Sequence, residues 1–264
     1  MNTLENFHKK AFNIITITGF AAILFFLYLQ FNNITSSPIN SYSTIASGTV
    51  FLISAIICFI YYKRIGEKSA ISTAILGTGL SNLLFAAGSF VWGYYNFVGV
   101  ETPYPSIGDT FFILMPITFA ISIGSLLQIY KTSTTKSTVF IASTVFLILA
   151  STMFFFYGNP EVSIDLSFAE KFFNIAYTLS DSIYVGAGVA LLIIAGGRMY
   201  KGIFVWVLAM FIITLGDMVF SYRVTHDIVW SGDIADQLYT LSAIIFTYAA
   251  IFLAKTSESK EIQI

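Results

Sequence analysis

Gly202 to Arg223 reads GIFVWVLAMFIITLGDMVFSYR, an unbroken apolar run with one acid, Asp217, inside it. A helix rises 1.5 Å per residue, so about 20 residues cross a hydrocarbon core of roughly 30 Å. Lys201 stands at one end of the run and Arg223 at the other. Seven more stretches of this kind fall at about 11–30, 44–62, 70–95, 109–130, 137–157, 171–195 and 235–254. The chain therefore reads as an all-α integral membrane protein, an eight-transmembrane-helix bundle.

The basic residues orient that bundle. Eleven of the 13 Lys and Arg residues lie in gaps on the side of the N-terminus: Lys9, Lys10, Lys63, Arg64, Lys68, Lys131, Lys136, Arg198, Lys201, Lys255 and Lys260. Only Lys171 and Arg223 fall on the other side. All the gaps are short, the regime in which the positive-inside bias sets topology. This places both termini in the cytoplasm (N-in/C-in) and the protein in the cell membrane as a multi-pass chain. The outer side gathers acids instead: Glu101, Asp109, Glu161, Asp165, Glu170, Asp227, Asp233 and Asp236.

Composition agrees. The chain is 56% hydrophobic and 10% charged, with mean hydropathy +0.80, against about 25% charged residues in soluble domains. Eight spans use most of the 264 residues, so residues 1–264 form a single transmembrane domain in contact with the lipid bilayer, ending in a short tail at 255–264. No basic patch supports nucleic-acid binding. Cys58, the one cysteine, reads as a small buried apolar residue and excludes a disulfide within the chain. The first apolar run exceeds a signal-peptide core and shows no small-residue cleavage site, so it reads as a retained span. Asn33-Ile34-Thr35 is a sequon in an outer loop.

The outer ends of the even-numbered spans look alike: Ile107-Gly108-Asp109-Thr110-Phe111-Phe112, Phe168-Ala169-Glu170-Lys171-Phe172-Phe173 and Ile234-Ala235-Asp236-Gln237-Leu238-Tyr239. The preceding odd spans correspond through Ser81-Asn82-Leu83-Leu84-Phe85, Ser151-Thr152-Met153-Phe154-Phe155 and Gly216-Asp217-Met218-Val219-Phe220. The repeating unit is a two-helix hairpin, which predicts a parallel repeat about an axis along the membrane normal. Asp109, Glu170 and Asp236 fit helix caps, since an acid there accepts from free N–H groups and opposes the positive dipole end. Three acids at one height also fit a ring around an outer vestibule.

Two carboxylates lie too deep to be caps. Asp181 is about eleven residues into its span, roughly 16 Å down, and Asp217 about seven residues from the outer end, roughly 10 Å down. An acid at such depth costs about 2.5–3.5 kcal/mol on insertion scales, so it should face the bundle interior or water. Glu170, Asn174, Tyr177 and Asp181 recur at helical spacing and form one polar stripe. Thr214, Asp217 and Ser221 form a second, and Thr78, Asn82 and Ser89 a third, for which interhelical hydrogen bonding is the simpler role. Arg223 and Lys171 should neutralise nearby outer carboxylates. Trp92, Tyr94, Tyr95, Tyr104 and Trp230 read as an outer aromatic belt and Trp206 as an inner one. His226, Asp227, Asp233 and Asp236 match no established metal-ligand spacing. No catalytic residue, metal or cofactor is assigned. A mid-helix lysine for a Schiff base, a phosphate-binding loop, a zincin-type His pair and a nucleophile elbow are all missing from the sequence.

Pro103-Tyr104-Pro105-Ser106-Ile107-Gly108-Asp109 with Pro116, and Gly216-Asp217 with Tyr222, Gly232 and Ala235-Asp236, carry a family resemblance. Together they resemble the multi-spanning N-terminal membrane modules of prokaryotic signalling proteins, often joined to diguanylate-cyclase, EAL or histidine-kinase output domains. The resemblance marks Pro105, Ser106, Asp109, Asp217 and Asp236 and implies a sensor-like role with a cytoplasmic or membrane signalling partner. Only Lys255 to Ile264 follow Ala254, so the expectation is a stand-alone version or a shortened chain. Gly216-Asp217 is also a faint echo of eight-span lysoplasmalogen hydrolases. The reading is a module whose outward-facing polar cavity takes a small ligand, a proton or a lipid. Asp109, Glu170, Asn174, Tyr177, Asp181, Asp217, Arg223 and Asp236 are its candidate site residues. Alternatives are an integral-membrane hydrolase using Asp181 and Asp217, and a small proton-coupled transporter.

Overall fold

A computed structural model describes residues 2–36, 38–66, 69–130, 135–157 and 166–258. The loop charges Lys68, Lys131, Glu161, Asp165 and Lys260 lie outside the described residues. The architecture is all-helical: α1 (Asn2–Phe31), α2 (Ser41–Ile65), α3 (Ala70–Val98), α4 (Ile107–Ile129), α5 (Lys136–Tyr157), α6 (Phe168–Ile194), α7 (Tyr200–Thr225) and α8 (Ile234–Glu258), with single 3-10 turns before α2 and α7. Seven of these helices are long and apolar enough to cross a membrane; in α5 the apolar segment is the shorter Lys136–Thr152. The chain is a multi-pass membrane protein. Its outward surface carries large apolar side chains such as Ile17, Phe20, Phe140, Ile183 and Phe211, as contact with lipid requires.

Most helices extend past the apolar runs that announce them. α1 begins nine residues before its run and carries Glu5, His8, Lys9 and Lys10 on its first turns. α8 continues through Lys255 to Glu258, so the start of the expected tail is helix. Serines fix three starts. The Ser69 side chain accepts from the Ser72 N–H, and Ser106 and Ser167 open reciprocal capping boxes with Asp109 and Glu170, satisfying N–H groups that a helix leaves free.

α8 runs through the middle of the bundle, packed against α1, α2, α3 and α7. α2, α3 and α4 lie side by side, α6 joins α4 to α7, and α5 sits against α6 and α7. Small residues allow the close approaches. A Cβ on Gly77 of α3 would stand 2.5 Å from Ser122 Oγ and 2.7 Å from the Thr118 carbonyl oxygen of α4. Hydroxyls bind this seam: Ser81 pairs with Thr118 Oγ1 at 2.6 Å, and Ser122 donates to the Ala74 carbonyl at 2.8 Å.

Midway along α4, Phe119 meets Phe246 of α8, Tyr184 of α6 and Trp206 of α7 at ring-centroid distances of 5.2, 5.5 and 6.0 Å. All four are buried. The inner-belt expectation for Trp206 is corrected here: the indole points into the bundle, 1% exposed, and donates to Thr78 Oγ1 at 2.8 Å. Height along a helix did not determine its facing. Cys58 is buried, as a small apolar residue should be.

Candidate functional site

Asp109, Glu170 and Asp236 are each the third residue of their helix, and each reaches back over the helix start. Asp109 Oδ2 accepts from Ser106 N–H at 2.7 Å and Ser106 Oγ at 2.6 Å. Glu170 Oε2 accepts from Ser167 N–H at 2.6 Å, and Asp236 Oδ2 from Gly232 N–H at 2.6 Å. Capping thus accounts for one oxygen of each acid. Arg223 is held by a neighbouring acid: Nε donates to Asp233 Oδ2 at 2.7 Å, and the guanidinium also donates to the Ile228 carbonyl at 2.6 Å. Asp233 Oδ1 accepts from Ala235 N–H at 2.8 Å, so this acid ties the end of α7 to the start of α8.

The α6 stripe makes two links to the start of α4 and the loop before it. Tyr104, in the loop before α4, donates to Asn174 Oδ1. Partial burial, reinforced by the negative charges of Asp109 and Glu170, pushes the Tyr104 phenol well above its ordinary range, so it stays a donor. Tyr177 donates to Asp109 through Oδ1 at 3.1 Å and the carbonyl oxygen at 3.3 Å, joining α6 to α4. Tyr177 is also near enough to Asp217 to interact electrostatically. The stripe thus carries polar groups from Glu170 and Asn174 past Tyr177 to Asp181 along one face of α6.

Asp181 of α6 and Asp217 of α7 are neighbours, close enough to interact electrostatically. Asp181 is buried at 3% exposure, and Asp217 is half-buried. Each takes a tyrosine hydroxyl: Tyr184 donates to Asp181 Oδ1 from one turn further along α6, and Tyr239 of α8 donates to Asp217 Oδ1 at 2.8 Å. Gly216 makes room for this, since a Cβ there would stand 2.7 Å from the Tyr239 ring. Asp181 Oδ2, Thr214 Oγ1 and Ser221 Oγ are buried without a hydrogen-bond partner among the described residues. Such atoms are rare and costly in a folded protein, and three of them occur along the α6–α7 polar stripes.

The eight candidate residues fall into three groups. Tyr177 bonds Asp109 and Asn174 takes Tyr104, with Glu170 one turn nearer the start of α6; Asp181 and Asp217 are neighbours; Arg223 and Asp236 sit at the α7–α8 corner, Arg223 engaged with Asp233. Sequence reasoning missed Tyr184 and Tyr239 as partners of the deep acids. Tyr184 continues the α6 stripe by three residues and was legible from spacing; Tyr239 meets Asp217 only across a helix interface. Two cavities lie elsewhere. One, of about 360 Å³, is lined by Ala150, Ser151, Phe154, Ile175, Thr178 and Leu179. The other, of about 190 Å³, lies between α1 and α8. Among the described residues no group of three or more His, Cys, Asp or Glu side chains is placed to hold a metal ion. Comparison with protein-family models, with curated proteins and with solved structures found no match for this chain.

Proposed function

We propose that this chain is a sensor-like membrane module of eight spans, a parallel repeat of helical hairpins with both termini cytoplasmic, and that its responding element is the Asp181–Asp217 pair. The observation that carries this reading is the pairing: two deep carboxyl groups side by side, each tethered to a tyrosine, with no base among their described partners. In this reading the two carboxyl groups hold one proton between them, since neighbouring carboxylates repel each other. Protons reach the pair from the outer face along Glu170, Asn174, Tyr177 and Asp109. Gain or loss of the shared proton shifts the balance between arrangements of α6, α7 and α8, which Tyr184 and Tyr239 tie to the pair. A cytoplasmic or membrane signalling partner reads that shift.

Aromatic packing favours sensing over transport. The Phe119, Tyr184, Trp206 and Phe246 rings pack together beside Asp181, which Tyr184 bonds, and this packing supports access from one side.

The test uses purified protein in nanodiscs, with infrared difference spectra recorded as the medium is acidified. The wild type should show the carbonyl band of a carboxyl group gaining a proton, and Asp181→Asn and Asp217→Asn should each remove or shift it. An unchanged band in both variants sinks the proposal. Proton flux into proteoliposomes, read by a trapped pH dye, would replace sensing by transport.

A further inference from the structure

The cavity between α1 and α8 lies at the opposite end of the bundle from the acids, where α1 begins and α8 ends. Its walls are Lys9, Phe12 and Asn13 of α1 and Tyr248, Phe252 and Lys255 of α8, with His8 and Ile251 behind them. Lys9, Asn13 and Lys255 are exposed at its mouth. Phe12 and Tyr248 stack at 4.6 Å to form an apolar floor, and Tyr248 is fixed by Thr16 at 2.7 Å. Lys9 has an acidic neighbour, Glu5, at 3.2 Å, but the two side chains are 69% and 68% exposed, so the pair contributes little. Two further bases flank the region: Lys201 lies 4.3 Å above the Phe252 ring, and Arg64 lies 3.9 Å above Phe7.

Helical spacing extends the site into the membrane. Lys9, Asn13, Ile17, Phe20 and Leu24 fall on one face of α1. The first two are polar; the last three are exposed apolar side chains. α1 is also the least buried of the spanning helices. A charged head above a continuous apolar strip is the complement of a phospholipid, and basic pockets between membrane helices bind anionic headgroups. The volume of about 190 Å³ is below the roughly 300–1,000 Å³ of pockets that enclose whole small molecules, so it suits a headgroup whose chains remain outside.

We propose that Lys9, Asn13 and Lys255 hold the headgroup phosphate of an anionic phospholipid whose acyl chain lies along Ile17, Phe20 and Leu24. The phosphate oxygens accept from the two ammonium groups and the Asn13 amide, and the glycerol packs on Phe12 and Tyr248. Occupancy clamps α1 to α8, the central helix. This site is independent of the acid pair and of the sensing role.

The experiment is native mass spectrometry of the intact chain exchanged into equal amounts of phosphatidylglycerol and phosphatidylcholine. Two lysines at a surface give about a tenfold to thirtyfold preference for the anionic lipid, and Lys9→Gln/Lys255→Gln should lose it. Arg198→Gln, which changes a base outside the cavity, should keep it. Equal retention of the two lipids by the wild type overturns the proposal without any variant. An equal loss in Arg198→Gln overturns it too, because a general basic surface then explains the preference. Displacement of the bound lipid by glycerol phosphate at similar concentration would assign the pocket to a soluble phosphate instead, and also overturns it.

Discussion

Two polar clusters sit inside this bundle, and they solve the same problem in different ways. On the α2–α3–α8 side, Asn82 donates to Ser54 Oγ at 2.8 Å, Thr247 donates to the same oxygen at 2.7 Å, and Thr240 donates to Ser47 at 3.1 Å. These groups are neutral and small, and the Asn82 carbonyl oxygen is the one atom there without a partner among the described residues. On the α6–α7–α8 side, the polar groups are two acids, two tyrosines and the hydroxyls of Thr214 and Ser221, and three buried oxygens go unpartnered among the described residues. The first cluster is glue: each hydrogen bond exists because lipid offers none. The second leaves the capacity of three buried oxygens unmet by its described neighbours.

That contrast can be broken or sharpened by substitution. The largest effect belongs to the seam beside the neutral cluster. Gly77→Leu drives a side chain into the Thr118 backbone and Ser122 and should destabilise the bundle by about 3 kcal/mol, read as a lower midpoint in thermal unfolding in detergent. Next, Asn82→Ala strips the only amide from the neutral cluster and should cost about 1–2 kcal/mol while leaving the acid-induced infrared band in place. If that band vanished, the two clusters would be one system. Ser106→Ala removes the α4 cap and the acceptor of the Trp92 indole N–H at 3.1 Å, which should cost about 1 kcal/mol. The smallest stability change is Tyr177→Phe, about 0.6 kcal/mol for one interhelical hydrogen bond. Its kinetic effect should be larger: protonation of the deep pair, followed by rapid-mixing infrared or tryptophan fluorescence, should slow without a change in final amplitude. An unchanged rate would remove Tyr177 from the proton path.

The rim acids are legible from spacing alone. Asp109, Glu170 and Asp236 each follow a helix start by the same number of residues, and cap chemistry is local, so the order of residues contains it. The α6 stripe is legible for the same reason, since one helix carries Glu170, Asn174, Tyr177 and Asp181 on one face whatever surrounds it. Trp206 shows where such reading stops. Its height near a helix end matches a belt residue, yet the helix turns it inward to Thr78. Arg223 had several outer acids to choose from, and the turn between α7 and α8 selects Asp233.

The sequence by itself determined the helices and their membrane character, because length, hydropathy and capping depend on neighbours within a few turns. It also placed two acids at a depth where they need a partner. Only the tertiary structure decided who that partner is. The pairing of Asp181 with Asp217, and of Asp217 with Tyr239, depends on how α6, α7 and α8 are rotated about their axes. That rotation is set by packing at contacts such as Gly216 on Tyr239, between residues that no spacing rule connects.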